Sequence, residues 1–589
     1  MNKWLDRFTG FTYNLSESQR DAIRTMLAEA SKQHISGDIE QAANAIARFW
    51  YEDYYERVFP LRFGRTPVES SNLYTRGASL SYTEKNGKNY LQVPDNASWR
   101  EQFLQEMHYP PILPAETQPE SGDPALLIAD HHLATAALLN VCLRRLGVSQ
   151  EILHQARLGA LVHELIDLPA IAQALSNYPV AHALAQYLKS GDTSLPSELQ
   201  AHQSLIDAIH QNAPSNAPDT RFCIVGLSAQ RIKQYVFETP GLPEIRGASI
   251  LLDQVVRLMS QEVEKQIGRE CVLQCAASTL IFLAPEPADW ENRLKRAFYE
   301  TTLVAFCAAA AYETTLKRFL SDYNACMRDF LSAMDADRYR AELPVWECLP
   351  FEARCAFCKK RAATTLETMP DDEYAPLCMA CRIKFQQGRG NQRQELGENL
   401  LRNAGIMQIL KYYNLPPGEA FTGSLDEMVP ELDEREQKKQ VAFIYGDGSN
   451  FGQITKNLKS LAQSLQWTRR AELVNRAAIA LALSCALQES LKDVNTYLER
   501  VPFEVLVIGG DDFSLFTWSR LALRFCQQFV KLTDLEYAKG DIRKCIVGET
   551  PICYGVGCLI SDEKAPAQRV VEFTEANLLK FAKRGRQSL

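Results

Sequence analysis

Beyond His210 the chain carries no histidine: all nine stand at positions 34, 108, 131, 132, 154, 163, 182, 202 and 210, and residues 211–589 have none. The commonest general base is therefore missing from most of the molecule. Chemistry there has to run on carboxylates, metal ions, lysine and arginine. Apolar runs of the ~18 residues needed to span a bilayer are also lacking, as is a leading basic-then-apolar segment, so the expectation is a cytoplasmic protein with no membrane partner. Basic charge is in deficit. Lys and Arg total 64 against 72 for Asp and Glu, a formal net charge of −8, so any nucleic-acid contact must come from a local patch or through a partner that carries the RNA.

What is present begins with length. At 589 residues the chain has room for roughly four domains of about 150 residues. Most of its 16 cysteines lie singly in apolar runs, as at Cys307, Cys485 and Cys526, where buried free thiols usually occur. Four differ. "CAFC" (Cys355, Cys358) and "CMAC" (Cys378, Cys381), with 19 residues between the pairs, have the spacing of two knuckles that close a tetrahedral thiolate site around Zn²⁺. With no histidine nearby, the site is all-cysteine.

Organisation follows from punctuation and periodicity. Residues 1–108 form an N-terminal region of unclear role, and a Pro-rich stretch at 109–125 reads as a linker. A helical region spans 125–215, with apolar residues recurring at three and four positions. The rest shows a near-repeat. "RFCIVGLSAQ" (221–230) reads as a strand leading into a helix, a long helical pattern follows, and "CVLQCAASTLIFLAP" (271–285) reads as strand, turn, strand. The same order returns with "VAFIYGDGSNFGQ" (441–453), about fifty residues of helical pattern, and "FEVLVIGGDDFSLFTW" (503–518). The expected fold is α+β and multidomain: two ferredoxin-like units, at 220–340 and 441–589, flank a four-cysteine module at 345–395, with a helical segment and linker at 396–440.

Laid over each other, the copies place Gly226-Leu227 on Gly446-Asp447 and the segment from Ala276 to Thr279 on Gly509, Gly510, Asp511 and Asp512. The three acids occur only in the second copy, which points to one active and one silent unit. If strand 441–446 and the hairpin are neighbours, Asp447, Asp511 and Asp512 converge within a few ångströms. Such a cluster repels itself unless a cation lies between, and oxygen-only ligands favour Mg²⁺ or Mn²⁺. Gly509 and Gly510 leave a phosphate free to approach the backbone. Lys583, Arg584 and Arg586, just behind a helical pattern near the C-terminus, are either phosphate contacts or a solvated tail.

These motifs carry a resemblance. "GDGSNFG", "IGGDDFSLF", "GLSAQRIKQYVFETPGLPEIRGAS" and the four-cysteine module between them, covering about 220–589, look like the large palm-domain subunit of type III CRISPR effector complexes. The resemblance implies two palm domains that join ATP molecules into cyclic oligoadenylate when a guide-bearing ribonucleoprotein finds target RNA. Partners would be guide RNA, target RNA and the other effector subunits. By the same resemblance Asp447 and Asp511 match metal ligands, Asp512 the second turn acid, and Lys583 a triphosphate-binding lysine shared with diguanylate cyclases. Gly448, Ser449, Asn450, Gly509 and Gly510 would line the nucleotide, as would Arg246 and Ser249 of "EIRGAS".

Two departures from that family are visible. Its members commonly end in a helical domain beyond the second palm, whereas here the sequence closes on "KRGRQSL", so a short form is expected. They also commonly begin with an HD nuclease. His131 or His132 and His163 sit where its histidines would, but the His-Asp signature reads His163-Glu164. The extra methylene displaces the ligand oxygens by about 1 Å, enough to spoil a two-metal geometry, so a degenerate HD-like domain without DNA nuclease activity is expected. Two other readings stay open: a stand-alone GGDEF-like cyclase making another signal, and a catalytically silent scaffold that binds guide RNA and partners.

Overall fold

The structure is a computed structural model that describes residues 2–5, 12–15, 17–53, 81–85, 88–92, 128–191, 193–276, 278–340, 348–369, 373–389, 424–429, 439–491, 501–533 and 553–587. The expected linker at 109–125 and nearly all of the segment at 396–440 lie outside these residues, as do the side chains of Arg584 and Arg586.

The fold mixes helix with antiparallel sheet around two four-stranded sheets of identical order. In the first, Val272–Ala276, Thr279–Ala284, Arg221–Gln230 and Phe306–Thr315 lie side by side in that order, and in the second Phe503–Ile508, Asp512–Trp518, Gln440–Ser449 and Cys553–Asp562 do the same. Each sheet thus places its first strand in sequence between its third and fourth, the order of a βαββαβ unit. The first strands, "RFCIVGLSAQ" and "QVAFIYGDGS", are rich in β-branched and aromatic residues. Both show the same run of burial, an exposed first residue followed by six buried ones. Continuous rather than alternating burial marks a strand covered on both faces.

The duplication extends to irregularities. Each hairpin carries one register shift at the matching place, between Val272 and Gln274 in the first sheet and between Val505 and Val507 in the second. Each first strand ends at a residue in the left-handed region, Arg231 (φ 51°) or Asn450 (φ 70°), that caps a short helix, Ile232–Val236 or Phe451–Thr455. These landmarks correct the sequence overlay by one residue. Ser228 faces Thr279 in the first sheet as Asp447 faces Asp512 in the second, and Ala229 N–H donates to Ser278 O as Gly448 N–H donates to Asp511 O. Asp447 therefore corresponds to Ser228, not Leu227. A glycine in each strand suggested the wrong match; pairing across the hairpin sets the right one.

Helices tie the parts together. The helical region packs Ile128–Arg145 against Gln150–Val162, and its Arg157 makes a fully buried ion pair with Glu270 beside the first sheet. Removing either partner would leave an uncompensated buried charge. Arg469, on the long helix Leu461–Leu491, donates to Trp50 O at 2.7 Å and lies 3.5 Å from buried Asp130. The helix Met379–Arg389 crosses Leu242–Gln266 at two glycines: a Cβ at Gly247 would stand 1.7 Å from Lys384 O, and one at Gly388 1.7 Å from Pro243 O. Only glycine allows backbones to meet so closely.

Candidate functional site

The acidic hairpin is held from behind. Gly448 N–H donates to Asp511 O at 2.6 Å and Gly509 N–H to Asp512 O at 2.7 Å, which closes the turn against the end of Gln440–Ser449. Asn475, fully buried on the long helix, donates to Gly509 O (3.0 Å) and Asp512 O (3.3 Å). Sequence reasoning missed Asn475. Its signal was an amide directly after Leu473 and Val474 on the apolar face of a long helical pattern, where such a residue needs a partner.

The two glycines of the turn differ. A Cβ at Gly509 would fall 2.1 Å from Asp512 Oδ1, so this position must be bare for the acid itself, whereas a Cβ at Gly510 meets nothing within 4 Å. Only Gly510 thus borders open space.

The three carboxylates share one end of the sheet without meeting. Asp447 and Asp512 are cross-strand partners, yet Asp447 forms an ion pair with Lys583 and Asp512 Oδ2 accepts from Tyr445 Oη at 3.2 Å. Lys583 reaches Asp447 across Gly555, the residue opposite Asp447 on the other neighbouring strand, where a Cβ would stand 2.9 Å from the lysine Cγ. Among the described residues, the groups of three or more metal-capable side chains with ligand atoms within 4.8 Å of one another are four cysteines and three histidines. The expected convergence of Asp447, Asp511 and Asp512 is thus not found. Adjacent like charges repel, and a cationic or hydroxyl partner draws two of them apart.

Electrostatics mark the site as costly to charge. Burial, then the neighbouring Asp512 charge, raises the Asp511 pKa; burial raises that of Asp512, opposed by the Tyr445 hydroxyl and by Lys233. Lys233 comes from the other unit, on the short helix Ile232–Val236. Its Nζ lies 4.5 Å from the Tyr445 ring centre and pairs with Glu575. Burial, then Lys233, lowers the pKa of Lys583. The donor set, three carboxylates at one end of the sheet, is of the oxygen type that a hard divalent cation such as Mg²⁺ takes.

Arg246 and Ser249 are placed elsewhere. Arg246 is buried against Glu504, and Ser249 Oγ donates to Leu506 O at 2.8 Å, so both join the helix Leu242–Gln266 to the edge strand of the second sheet. Ser449 ends the first strand of that sheet and Asn450 follows it as the cap of Phe451–Thr455.

The four cysteines do converge. Cys355, Cys358, Cys378 and Cys381 are all buried with their sulfurs within 4.8 Å of one another, a donor set that fits Zn²⁺. The hairpin Thr365–Thr368 and Tyr374–Leu377 brings the second pair to the first. Arg361 lies 3.6 Å from Cys358 Sγ and 3.8 Å from Cys378 Sγ and pairs with Glu238, which also takes buried Lys384 at 3.2 Å.

In the helical region the histidines group differently from the expected set. His131, His163 and His210 bring ring nitrogens within 4.8 Å of one another. His132 instead accepts the Glu164 N–H at 3.2 Å, and the buried Glu164 carboxylate lies 3.3 Å from Lys189. His210 had no motif to announce it.

No family model and no curated protein matches the chain. The solved structures it resembles include Csm1–Csm4 assemblies. A Csm1–Csm4 subcomplex of the type III-A CRISPR-Csm interference complex aligns at 12% identity and TM-score 0.40, over 74% of this chain and 64% of that one. A Csm1–Csm4 cassette bound to AMPPNP aligns at 12% identity and TM-score 0.41, covering 96% and 83% of the two chains. Another, bound to cA3, aligns at 12% and 0.42, covering 97% and 83%. The chain thus spans less than two thirds of the first of these, and at such scores the function has to be argued from the residues. No helix among the described residues is long and apolar enough to cross a membrane.

Proposed function

We propose that this chain is the palm-domain cyclase subunit of a type III RNA-guided effector complex, converting ATP into cyclic oligoadenylate on recognition of target RNA. The observation that carries the reading is the matched pair of sheets. Strand order, register shift and capping residue recur, while Ser228, Ser278 and Thr279 of the first copy stand where the second has Asp447, Asp511 and Asp512. A scaffold has no need of acids that destabilise it, so their confinement to one copy favours chemistry there.

In this reading the first sheet is a silent palm and the second an active one, with the zinc module between them in sequence and a degenerate HD-like region at the N-terminal side. Asp447 and Asp511 would hold Mg²⁺ or Mn²⁺, which when bound supplies charge neutralisation at the α-phosphate and acidifies the attacking hydroxyl. The chain does the rest. Gly510 leaves open space beside the backbone that a phosphate would use, and Lys583, paired with Asp447, would offer its cation to a triphosphate. Tyr445 holds Asp512 in place through its hydroxyl. The 3′-hydroxyl of one ATP displaces pyrophosphate from the α-phosphate of the next, and no histidine is needed. Arg246 and Ser249, by contrast, join the two units and are taken as positioning residues. Guide RNA, target RNA and the other effector subunits would be the partners, in the cytoplasm.

The test is ATP and Mg²⁺ added to the purified assembly with and without target RNA, the products weighed. Cyclic oligoadenylate that appears only with target RNA is expected. Another cyclic nucleotide made by the chain alone would support a stand-alone GGDEF-like cyclase instead, and no product under any condition would leave a scaffold.

A further inference from the structure

We propose that the N-terminal turn Phe49–Asp53 holds the acidic hairpin in position, acting through Arg469 and the long helix Leu461–Leu491. Part of residues 1–108, whose role the sequence left open, thereby gains a task. The catalytic consequence rests on the cyclase reading, whereas the hold on the hairpin does not.

Contacts at the turn carry the inference. The helix Ile39–Arg48 runs directly into Phe49–Asp53, which widens to a π-helical turn. Carbonyls towards the C-terminal end of a helix lack partners within it, and a cation is favoured there. Arg469 takes two of them: its Nη1 donates to Trp50 O at 2.7 Å and to Tyr51 O at 3.0 Å, while Nη2 lies 3.5 Å from buried Asp130. The Tyr51 ring receives two guanidiniums, Arg469 at 4.3 Å from its centre and Arg269, beside the first sheet, at 3.7 Å. Trp50, fully buried, donates from Nε1 to Leu161 O at 2.6 Å. The helical region, the first unit and the second unit all bear on these few residues.

Helix geometry carries the hold onward. Asn475, which donates to Gly509 O and Asp512 O, stands six residues beyond Arg469 on the same helix. Six residues make about 9 Å of rise and roughly 120° of difference in direction, so one helix grips the turn on one side and the hairpin on another. Rotating it by about 20° would move a side-chain tip by about 2 Å. Asn475 would then lose its bonds of 3.0 and 3.3 Å. A guanidinium is suited to prevent that rotation, because its nitrogens are fixed in one plane and here address two carbonyls and a carboxylate together. Arg469 is accordingly a positioning residue that acts through Asn475.

Hydrogen exchange of the full-length protein, read by mass spectrometry in peptides covering 440–449 and 503–518, gives the test. These peptides contain the Gly448 and Gly509 amides that close the turn. Arg469→Ala should speed their exchange about tenfold and leave the matching hairpin of the first unit, 272–284, at the wild-type rate. Arg469→Lys, a cation without the fork, should restore part of the protection. In an Asn475→Ala background, Arg469→Ala should add little, since both act along one path. Where the wild type makes cyclic product, Arg469→Ala should lower kcat about tenfold with KM little changed. Arg145→Ala, which cuts an exposed ion pair between the helical region and Glu286, should alter neither. Should Arg469→Ala not fold, Tyr51→Leu, which keeps both carbonyls and removes the ring, should loosen the same two peptides. Unchanged exchange at 503–518, equal acceleration in both hairpins, or additive effects of Arg469→Ala and Asn475→Ala would overturn the proposal. A wild type that makes no product but shows the expected exchange pattern would defeat the cyclase reading and leave the hold on the hairpin standing.

Discussion

The two sheets of this molecule share a backbone and differ in what they do with one pair of facing positions. In the first, Ser228 and Thr279 satisfy each other, their hydroxyl oxygens 3.2 Å apart. In the second, Asp447 and Asp512 occupy the same register and cannot satisfy each other, so each turns to a partner brought from elsewhere. Lys583 arrives from the C-terminal helix and the Tyr445 hydroxyl from the neighbouring strand Gln440–Ser449. A hydroxyl is both donor and acceptor, and an ionised carboxylate only an acceptor. The second unit therefore depends on added parts for local stability, including Asn475, Gly555 and, from the opposite unit, Lys233. Electrostatic strain is concentrated in the copy to which the proposed chemistry assigns the negative charge.

The most forceful way to break the comparison is to make the second sheet resemble the first. Asp511→Asn with Asp512→Asn should lower nucleotide polymerisation by on the order of 10³-fold or more, since both the charge and a ligand oxygen for the cation are lost. Folding and assembly should survive, because repulsion at the turn is relieved. ATP turnover and thermal melting of the same preparation check this together. Wild-type turnover, or an unfolded variant, would make the acids structural.

Next comes the support behind the hairpin. Asn475→Ala removes the donor to two carbonyls and should destabilise the protein by roughly 1–3 kcal/mol, read in a denaturant titration. As a positioning residue it should also slow polymerisation, by roughly tenfold to a hundredfold, through kcat more than KM because the reacting geometry loosens. A stability loss with unaltered kcat would reduce Asn475 to packing.

How much of this was legible follows from the physics of each signal. The four cysteines and the acidic turn were readable because their partners lie close in sequence, and the duplicated order of strands was readable from periodicity. The one-residue register was not. It is set by hydrogen bonds across the hairpin and by the left-handed residues Arg231 and Asn450, which leave no hydropathy trace. Arg246 and Ser249 were read as ligand contacts, although in the fold Glu504 and the Leu506 carbonyl hold them. A motif specifies residue types, and tertiary packing decides what faces them. His210 and Lys233 join their sites only through folding, and no local spacing announces such residues.

A smaller effect concerns pH. Asp511 and Asp512 have pKa values raised in the fold by burial and, for Asp511, by its neighbour. The native state therefore binds protons more tightly than the unfolded chain, so these groups favour folding below the ordinary carboxylate value of about 3.9, and the benefit fades as pH rises through their folded values. Asp511→Asn with Asp512→Asn abolishes that titration. Its melting temperature relative to wild type should accordingly improve from acid towards neutral pH. A difference constant with pH would show that the acids are not strained.

The smallest effect belongs to the first sheet, and it decides whether that copy is silent. Ser228→Ala removes one half-buried hydroxyl contact with Thr279, and about 0.5–1 kcal/mol of stability should go with it, seen as a shift of a degree or two in melting. Ser278→Ala should do even less. Ser278 already holds a positive φ of 58° without a glycine, and alanine bears the same Cβ. Neither change touches a charge, so cyclic product formed per chain should equal the wild type. Should Ser228→Ala instead reduce product as deeply as the loss of Asp511 and Asp512, the first sheet would be taking part in the reaction, and the contrast between a hydroxyl copy at rest and a carboxylate copy at work would fail.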